Sequence, residues 1–197
     1  KSVAVPLSIC GFLDDPGTHK LGAELFVNDR FPLDNSLGPI SKYPKNKKIK
    51  IGYFSGDFTD HPVAFLVTEL FKMHDKSKFE LYAFSYSTNP ESKIRLRIQK
   101  SFDEFIDVSN HGDKQITLMS REKNIDIAID LSGHTKNSRP SIFAMRAAPI
   151  QINFLGYPGT TGTSYIDYNI SDKFIIPKEM LKYYSEKIIY LPKCYQP

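Results

Sequence analysis

The stretch GDFTDHP, residues 56–62, sets two carboxylates, Asp57 and Asp60, and one imidazole, His61, in a short glycine-led loop. Asp57 and His61 stand four residues apart across a turn, near enough for the carboxylate to orient the ring or to receive a proton through water. Asp, Thr and His are also ordinary turn and cap residues, so spacing alone leaves the pair open between a reaction centre and a plain loop. Asp60 reads as a turn residue. Pro62 suits the first position of a helix, where its missing amide proton costs nothing. A helix starting there points free amides at its surroundings and attracts phosphate or diphosphate.

Two further loops carry usable chemistry. SGHTKNSRP, residues 132–140, gathers His134, Thr135, Lys136 and Arg139 ahead of a helix-like run. That composition suits a phosphate or a polar acceptor, and it equally suits a solvated helix entry. GYPGTTG, residues 156–162, has glycines that let backbone approach a ligand, with Tyr157 and Pro158 stiffening the turn. A sugar or nucleotide contact and a tight structural turn are both open for it. It lacks the Gly-Lys-Ser/Thr ending of a P-loop, and no GxGxxG follows the first strand, so the ATPase and dehydrogenase fingerprints are missing.

The elements that must position these loops follow from hydrophobic periodicity. From residue 48 onward strands are expected near 49–54, 79–85, 105–109, 125–131, 150–156 and 187–192. Helices are expected near 62–74, 91–100, 114–123, 140–145 and 177–183. Near-continuous apolar strands alternating with helices specify an α/β fold: a Rossmann-like, three-layer open parallel sheet with helices on both faces. In such a sheet ligands bind beyond the carboxyl ends of the strands, and all three loops are strand exits. Residues 1–46 differ in texture, with prolines at 6, 16, 32, 39 and 44 and a short helix near 18–28. They read as a lead-in segment, followed by one lobe at 47–197.

The 197 residues fit one compact domain with an appendage, since domains run to about 100–200 residues. No apolar run reaches the roughly 20 residues that span a bilayer, and the N-terminal stretch lacks a signal-peptide pattern; a cytoplasmic chain without membrane partners is expected. Cys10 and Cys194 match no metal or redox spacing. The lysine cluster SKYPKNKKIK, residues 41–50, holds a single aromatic, Tyr43, and no series of aromatics interleaved for base stacking; it reads as solvated linker, so no nucleic-acid partner is expected.

The stretches KIKIGYFSGDFTDHP, LFKMHDKSKFELYAFS, IDIAIDLSGHTKNSR and RAAPIQINFLGYPGTTGTSYIDYNISD resemble the amino-terminal catalytic lobe of the O-GlcNAc transferase family, which includes the SPINDLY-type protein O-fucosyltransferases. The likeness covers residues 48–197, and the lead-in is similar, more weakly, to that of bacterial members. The resemblance implies one lobe of a GT-B architecture. It also implies inverting, metal-independent transfer of a sugar from a nucleotide-sugar to Ser or Thr hydroxyls of an acceptor protein, with no cofactor beyond the donor. The sequence is compatible, as it contains no Asp-x-Asp pair. By the same resemblance Asp57 is a proton-relay aspartate, and His61 is the histidine at donor phosphate and acceptor. Pro62 is a donor-site proline, and Leu155 and Gly156 border the donor sugar through their backbones. From the composition of their loops, Tyr157, His134 and Thr135 are added as expected donor or substrate residues.

Val63 and Phe65 stand where animal members carry a donor-contacting threonine and a second histidine, and SGHTKNSR is closer to SPINDLY-like wording. GDP-fucose therefore stays open beside UDP-GlcNAc. The resemblance places the uridine-binding residues and a diphosphate-anchoring lysine in a carboxyl-terminal lobe, and helical repeats ahead of this segment, so the 197 residues alone are expected to be inactive. Two other readings compete: a non-catalytic nucleotide-sugar or protein-binding module, and a signalling domain with Asp57 as its phosphorylated acid.

Overall fold

The structure, a computed structural model, describes residues 4–43, 45–87, 89 and 91–197; the first three residues of the lead-in and the proline at 44 lie outside the described residues. The lead-in holds two helices where one short helix was expected: α1, Pro6–Phe12, and α2, Pro16–Arg30. Asp15 caps α2 by accepting from the amides of Gly17 and Thr18, and Pro16 fills its first position. α1 has no side-chain cap and no charged residue in its first or last turn, so sequence gives it no start or stop signal beyond Pro6.

From residue 49 the chain alternates as β1 Ile49–Ser55, α3 Pro62–Lys72, β2 Phe79–Ser85, α4 Lys93–Gln99, β3 Glu104–Asp107, α5 Asp113–Glu122, β4 Ile127–Asp130, α6 Pro140–Ala144 and β5 Ile150–Phe154. It closes with β6 Tyr168–Ser171, the helix expected near 177–183, which takes the 3₁₀ form at Lys178–Tyr183, and β7 Lys187–Tyr190. Among the described residues seven strands join one sheet in the order β3-β2-β1-β4-β5-β6-β7, and every pairing is parallel.

The period-2 alternation of the strands divides the core between the two faces. Ile51 and Tyr53 of β1, with Leu81 and Ala83 of β2, pack against Val63, Val67 and Phe71 of α3 and Ile94 and Ile98 of α4. Phe54 and Phe84, stacked with ring centroids 4.4 Å apart, face Ile116 of α5, Ile142 and Phe143 of α6 and Val27 of α2. Three layers result, as the near-continuous apolar strands require. The strand order reverses between β1 and β4, each of which leads away to its own half of the sheet; that pair is the switch point where open sheets leave a crevice.

The lead-in is docked on the lobe. Ala23 and Val27 of α2 are buried, Tyr165 donates its hydroxyl proton to the carbonyl of Phe31 at 3.1 Å, and Arg121 donates to the carbonyls of Leu37 and Gly38. Gly162, at φ +66°, lies so close to α2 that a β-carbon there would sit 2.6 Å from the amide nitrogen of Glu24. Among the described residues no helix is long and apolar enough to cross a membrane.

Candidate functional site

The exits of β1, β4 and β5 meet at the switch point around a cavity of about 400 Å³, lined by Asp57, His61, Val63, Thr135, Lys136, Asn137, Gly156 and, from α1, Leu7. A larger hollow of about 640 Å³ lies at the opposite edge, between linker residues such as Tyr43 and the entries of β4 and β5. We assign the site to the smaller cavity, because strand exits and not strand entries hold the ligands of open parallel sheets.

The β1 exit is wound tightly. The amide of Thr59 donates to the carbonyl of Asp57 and that of His61 to the carbonyl of Thr59, each at 2.7 Å, giving two successive three-residue turns. The Asp57 amide donates to Ser55 Oγ at 2.9 Å, which pins the aspartate to the end of β1. These turns bring the Asp57 carboxylate to 3.8 Å from His61 Nδ1. Burial raises the Asp57 carboxyl above its ordinary range, and the charge of His61 offsets part of that rise.

His61 is also the N-cap of α3: its Nδ1 accepts from the amide of Val63 at 3.3 Å. An accepting Nδ1 carries no proton, so while the cap is made the ring's proton sits on Nε2. Turning Nδ1–H toward Asp57 instead costs the cap. The ring thus has two exclusive arrangements, one in which Nδ1 caps α3 and one in which Nδ1–H pairs with Asp57.

The β5 exit brings backbone to the same cavity. Leu155 has φ +75°, and the Gly156 amide donates to the carbonyl of Phe154 at 3.0 Å, the rare and strained form of the three-residue turn. Such a residue stores about 1–3 kcal/mol and persists only where its surroundings hold it. Gly156 is what allows it: a β-carbon there would fall 2.1 Å from the carbonyl oxygen of Leu131.

Asp57, His61, Thr135 and Gly156 therefore converge as their loops suggested. Pro62 is at the first position of α3 but exposed and off the cavity wall, and Leu155 is buried behind it. Tyr157 and His134 turn inward. Tyr157 is buried with its hydroxyl 3.7 Å from Cys10 Sγ, and His134 lies edge-on between Phe26 and Tyr157, at 5.4 and 5.2 Å, with Nε2 donating to the carbonyl of Thr161 at 2.6 Å. Burial lowers the basicity of that imidazole, so His134 is a neutral strut beneath the cavity.

Asn137 and Leu7 line the cavity without having been singled out, and Lys136, read only as part of its loop's composition, lines it too. Lys136 and Asn137 sit beside Thr135 and were within reach of a reading by loop; Leu7 is far upstream, and nothing local marks it. Asp130, at the end of β4, was also missed. It is fully buried, accepts from the Ser132 amide at 2.9 Å, and burial pushes its carboxyl up to about 6.

Fold and site together define a Rossmann-like lobe whose cavity opens at the topological switch point. Residues 37–196 match glycosyl transferase family 41, and the chain belongs to that family. It is 40% identical over 157 residues to the Arabidopsis thaliana protein described as probable UDP-N-acetylglucosamine–peptide N-acetylglucosaminyltransferase SEC, covering 80% of this chain and 16% of that protein. It is 33% identical to the Caenorhabditis elegans UDP-N-acetylglucosamine–peptide N-acetylglucosaminyltransferase, over 83% of this chain and 14% of the relative. To the Arabidopsis thaliana protein described as probable transferase SPINDLY it is 33% identical, over 76% of this chain and 17% of the relative. A solved variant O-GlcNAc transferase of Thermobaculum terrenum superposes with a TM-score of 0.87 at 27% identity, covering 98% of this chain and 37% of that one. The fold is that of one lobe of a GT-B enzyme, and the chain spans about a sixth of the length of these curated relatives.

Proposed function

We propose that this chain supplies the amino-terminal, acceptor-side lobe of a protein O-glycosyltransferase that moves a sugar from UDP-GlcNAc to Ser or Thr hydroxyls. The observation that carries the reading is the cavity at the switch point, where a carboxylate of raised basicity, a histidine and the start of α3 face one another. The acceptor oxygen forms a bond to the anomeric carbon as the bond from that carbon to the diphosphate oxygen breaks, and the electron pair leaves with the diphosphate. Asp57 takes the hydroxyl proton, directly or through water. His61 Nε2–H donates to the departing phosphate, with the positive end of α3 and Lys136 adding favourable charge.

The reading includes no metal and no cofactor. Among the described residues no three His, Cys, Asp or Glu side chains are grouped to hold a metal ion. A cytoplasmic setting belongs to the same reading and is supported by Cys10 and Cys194 both being free thiols. The partners are an acceptor protein and a carboxyl-terminal lobe that holds the nucleotide and excludes water, without which the chain binds weakly and does not turn over.

The test joins this chain to such a lobe and offers radiolabelled UDP-GlcNAc or GDP-fucose with a Ser/Thr peptide. Transfer from UDP-GlcNAc supports the reading, and transfer from GDP-fucose alone makes it a fucosyltransferase lobe. A His61→Ala form that keeps full activity would sink the assignment of the site.

A further inference from the structure

Glu186, just before β7, is a buried carboxylate for which the proposed chemistry has no use. Its partners are all in the GTTG turn. Thr160 Oγ1 donates to Oε2 at 2.7 Å, the Thr161 amide donates to Oε1 at 2.6 Å, and the Thr161 hydroxyl donates to Oε1 as well. Thr160 Oγ1 already accepts from the amides of Gly162 and Ser185, so its own proton has to go to Glu186.

The other side of that turn faces the cavity loop. The Thr161 carbonyl accepts from His134 Nε2, and the ring of His134 is clamped between Phe26 and Tyr157. A carbonyl only accepts, so the His134 proton is on Nε2, and Nδ1 is left buried without a partner. One short, directional bond therefore fixes a ring whose next three residues, Thr135, Lys136 and Asn137, line the cavity.

We propose that Glu186 is a positioning residue for the cleft: acting through Thr161 and His134, it fixes the β4 exit that brings Thr135, Lys136 and Asn137 to the ligand. The ligand's identity as a nucleotide-sugar rests on the function proposed above. Glu186 belongs to the edge of the sheet, four strands from β1, so the cavity is braced from a part of the molecule that does not touch it.

Glu186→Gln keeps the shape but turns one acceptor oxygen into a donor, which leaves the Thr160 proton without its acceptor. In nitrogen-15 NMR of the 197-residue chain, the wild type is expected to show His134 with a protonated Nε2 and a bare Nδ1. In the variant the Nε2 proton is expected to exchange about tenfold faster, and the amides of Thr135–Asn137 to shift, while those of α3 stay in place. In the chain joined to its second lobe, the same change is expected to raise KM for UDP-GlcNAc about tenfold. Loss of folded protein would lower apparent kcat and leave KM alone.

Should Glu186→Gln fail to fold, Thr161→Val removes one hydroxyl bond to Glu186 and answers to the same two measurements. Unchanged His134 signals together with unchanged KM overturn the proposal. If the wild type transfers no sugar, the functional reading falls separately, and the NMR comparison alone decides whether Glu186 positions the loop.

Discussion

His61 Nδ1 cannot both accept from Val63 and donate to Asp57, and that conflict separates its structural and chemical duties. His61→Asn keeps an N-cap acceptor and is expected to leave stability within a few tenths of a kcal/mol, whereas His61→Ala is expected to cost about 1 kcal/mol in urea unfolding. Both remove Nε2–H, and both are expected to lower kcat about 10²–10³-fold in the two-lobe enzyme. Asp57 must be ionised to take a proton. Its raised carboxyl therefore predicts that kcat/KM climbs with pH through a limb above the ordinary carboxylate range, a limb that Asp57→Asn abolishes along with most activity. Asp130 makes a separate, stability-based prediction. Its folded carboxyl, at about 6 against 3.8 unperturbed, favours the folded state below pH 3.8, and that contribution is lost as pH rises through 6. Relative to wild type, Asp130→Asn is expected to gain about 2 kcal/mol between pH 4 and pH 7.5, read from urea midpoints at each pH. A gain that does not change with pH would contradict the buried-acid account.

At the scale of elements, the site depends on backbone that has no freedom to adjust. Gly156→Ala drives a β-carbon into the Leu131 carbonyl, and both partners are backbone, so relief requires moving a strand end. The expected cost is about 3 kcal/mol, seen as a fall in Tm with loss of ligand binding. The start of α3 was legible because proline at its first position and a capping residue before it are local signals, and the strands were legible from their apolar runs. α1 was not legible, since its stability comes from packing and not from its own sequence: Ile9 of α1 lies where a β-carbon on Gly22 of α2 would be, at 2.5 Å. The turn at Lys178–Tyr183 reads as helix by composition, but it has no side-chain cap and buries none of its residues, so nothing extends it beyond a tight 3₁₀ winding.

At the scale of the molecule, the lead-in is part of the lobe's packing. Phe26 backs His134, Phe31 accepts from Tyr165, and α2 fills the space that Gly162 leaves open. A chain begun at residue 47 is expected to lower Tm by several degrees and to bind hydrophobic dye, because Ile142, Phe143 and Tyr165 lose part of their cover. Retention of the full Tm would show the lead-in to be dispensable. Leu7, on the cavity wall, adds that the same truncation opens the site to solvent and weakens ligand binding.

The sequence by itself determined the α/β class, the parallel sheet and the loops worth examining, since apolar periodicity, proline and glycine act over a few residues. It also put Asp57 and His61 in one turn. Only the tertiary structure decided which loop residues share a cavity, because the meeting of the β1, β4 and β5 exits depends on the strand order reversing between β1 and β4. It turned His134 and Tyr157 inward, where an aromatic clamp and a carbonyl acceptor outweigh exposure to a ligand, and it brought Lys136, Asn137 and Leu7 to the wall. Glu186 acquires its role the same way: the 24 residues between it and Thr161 carry no local signal of the link, which exists only once β7 has joined the sheet.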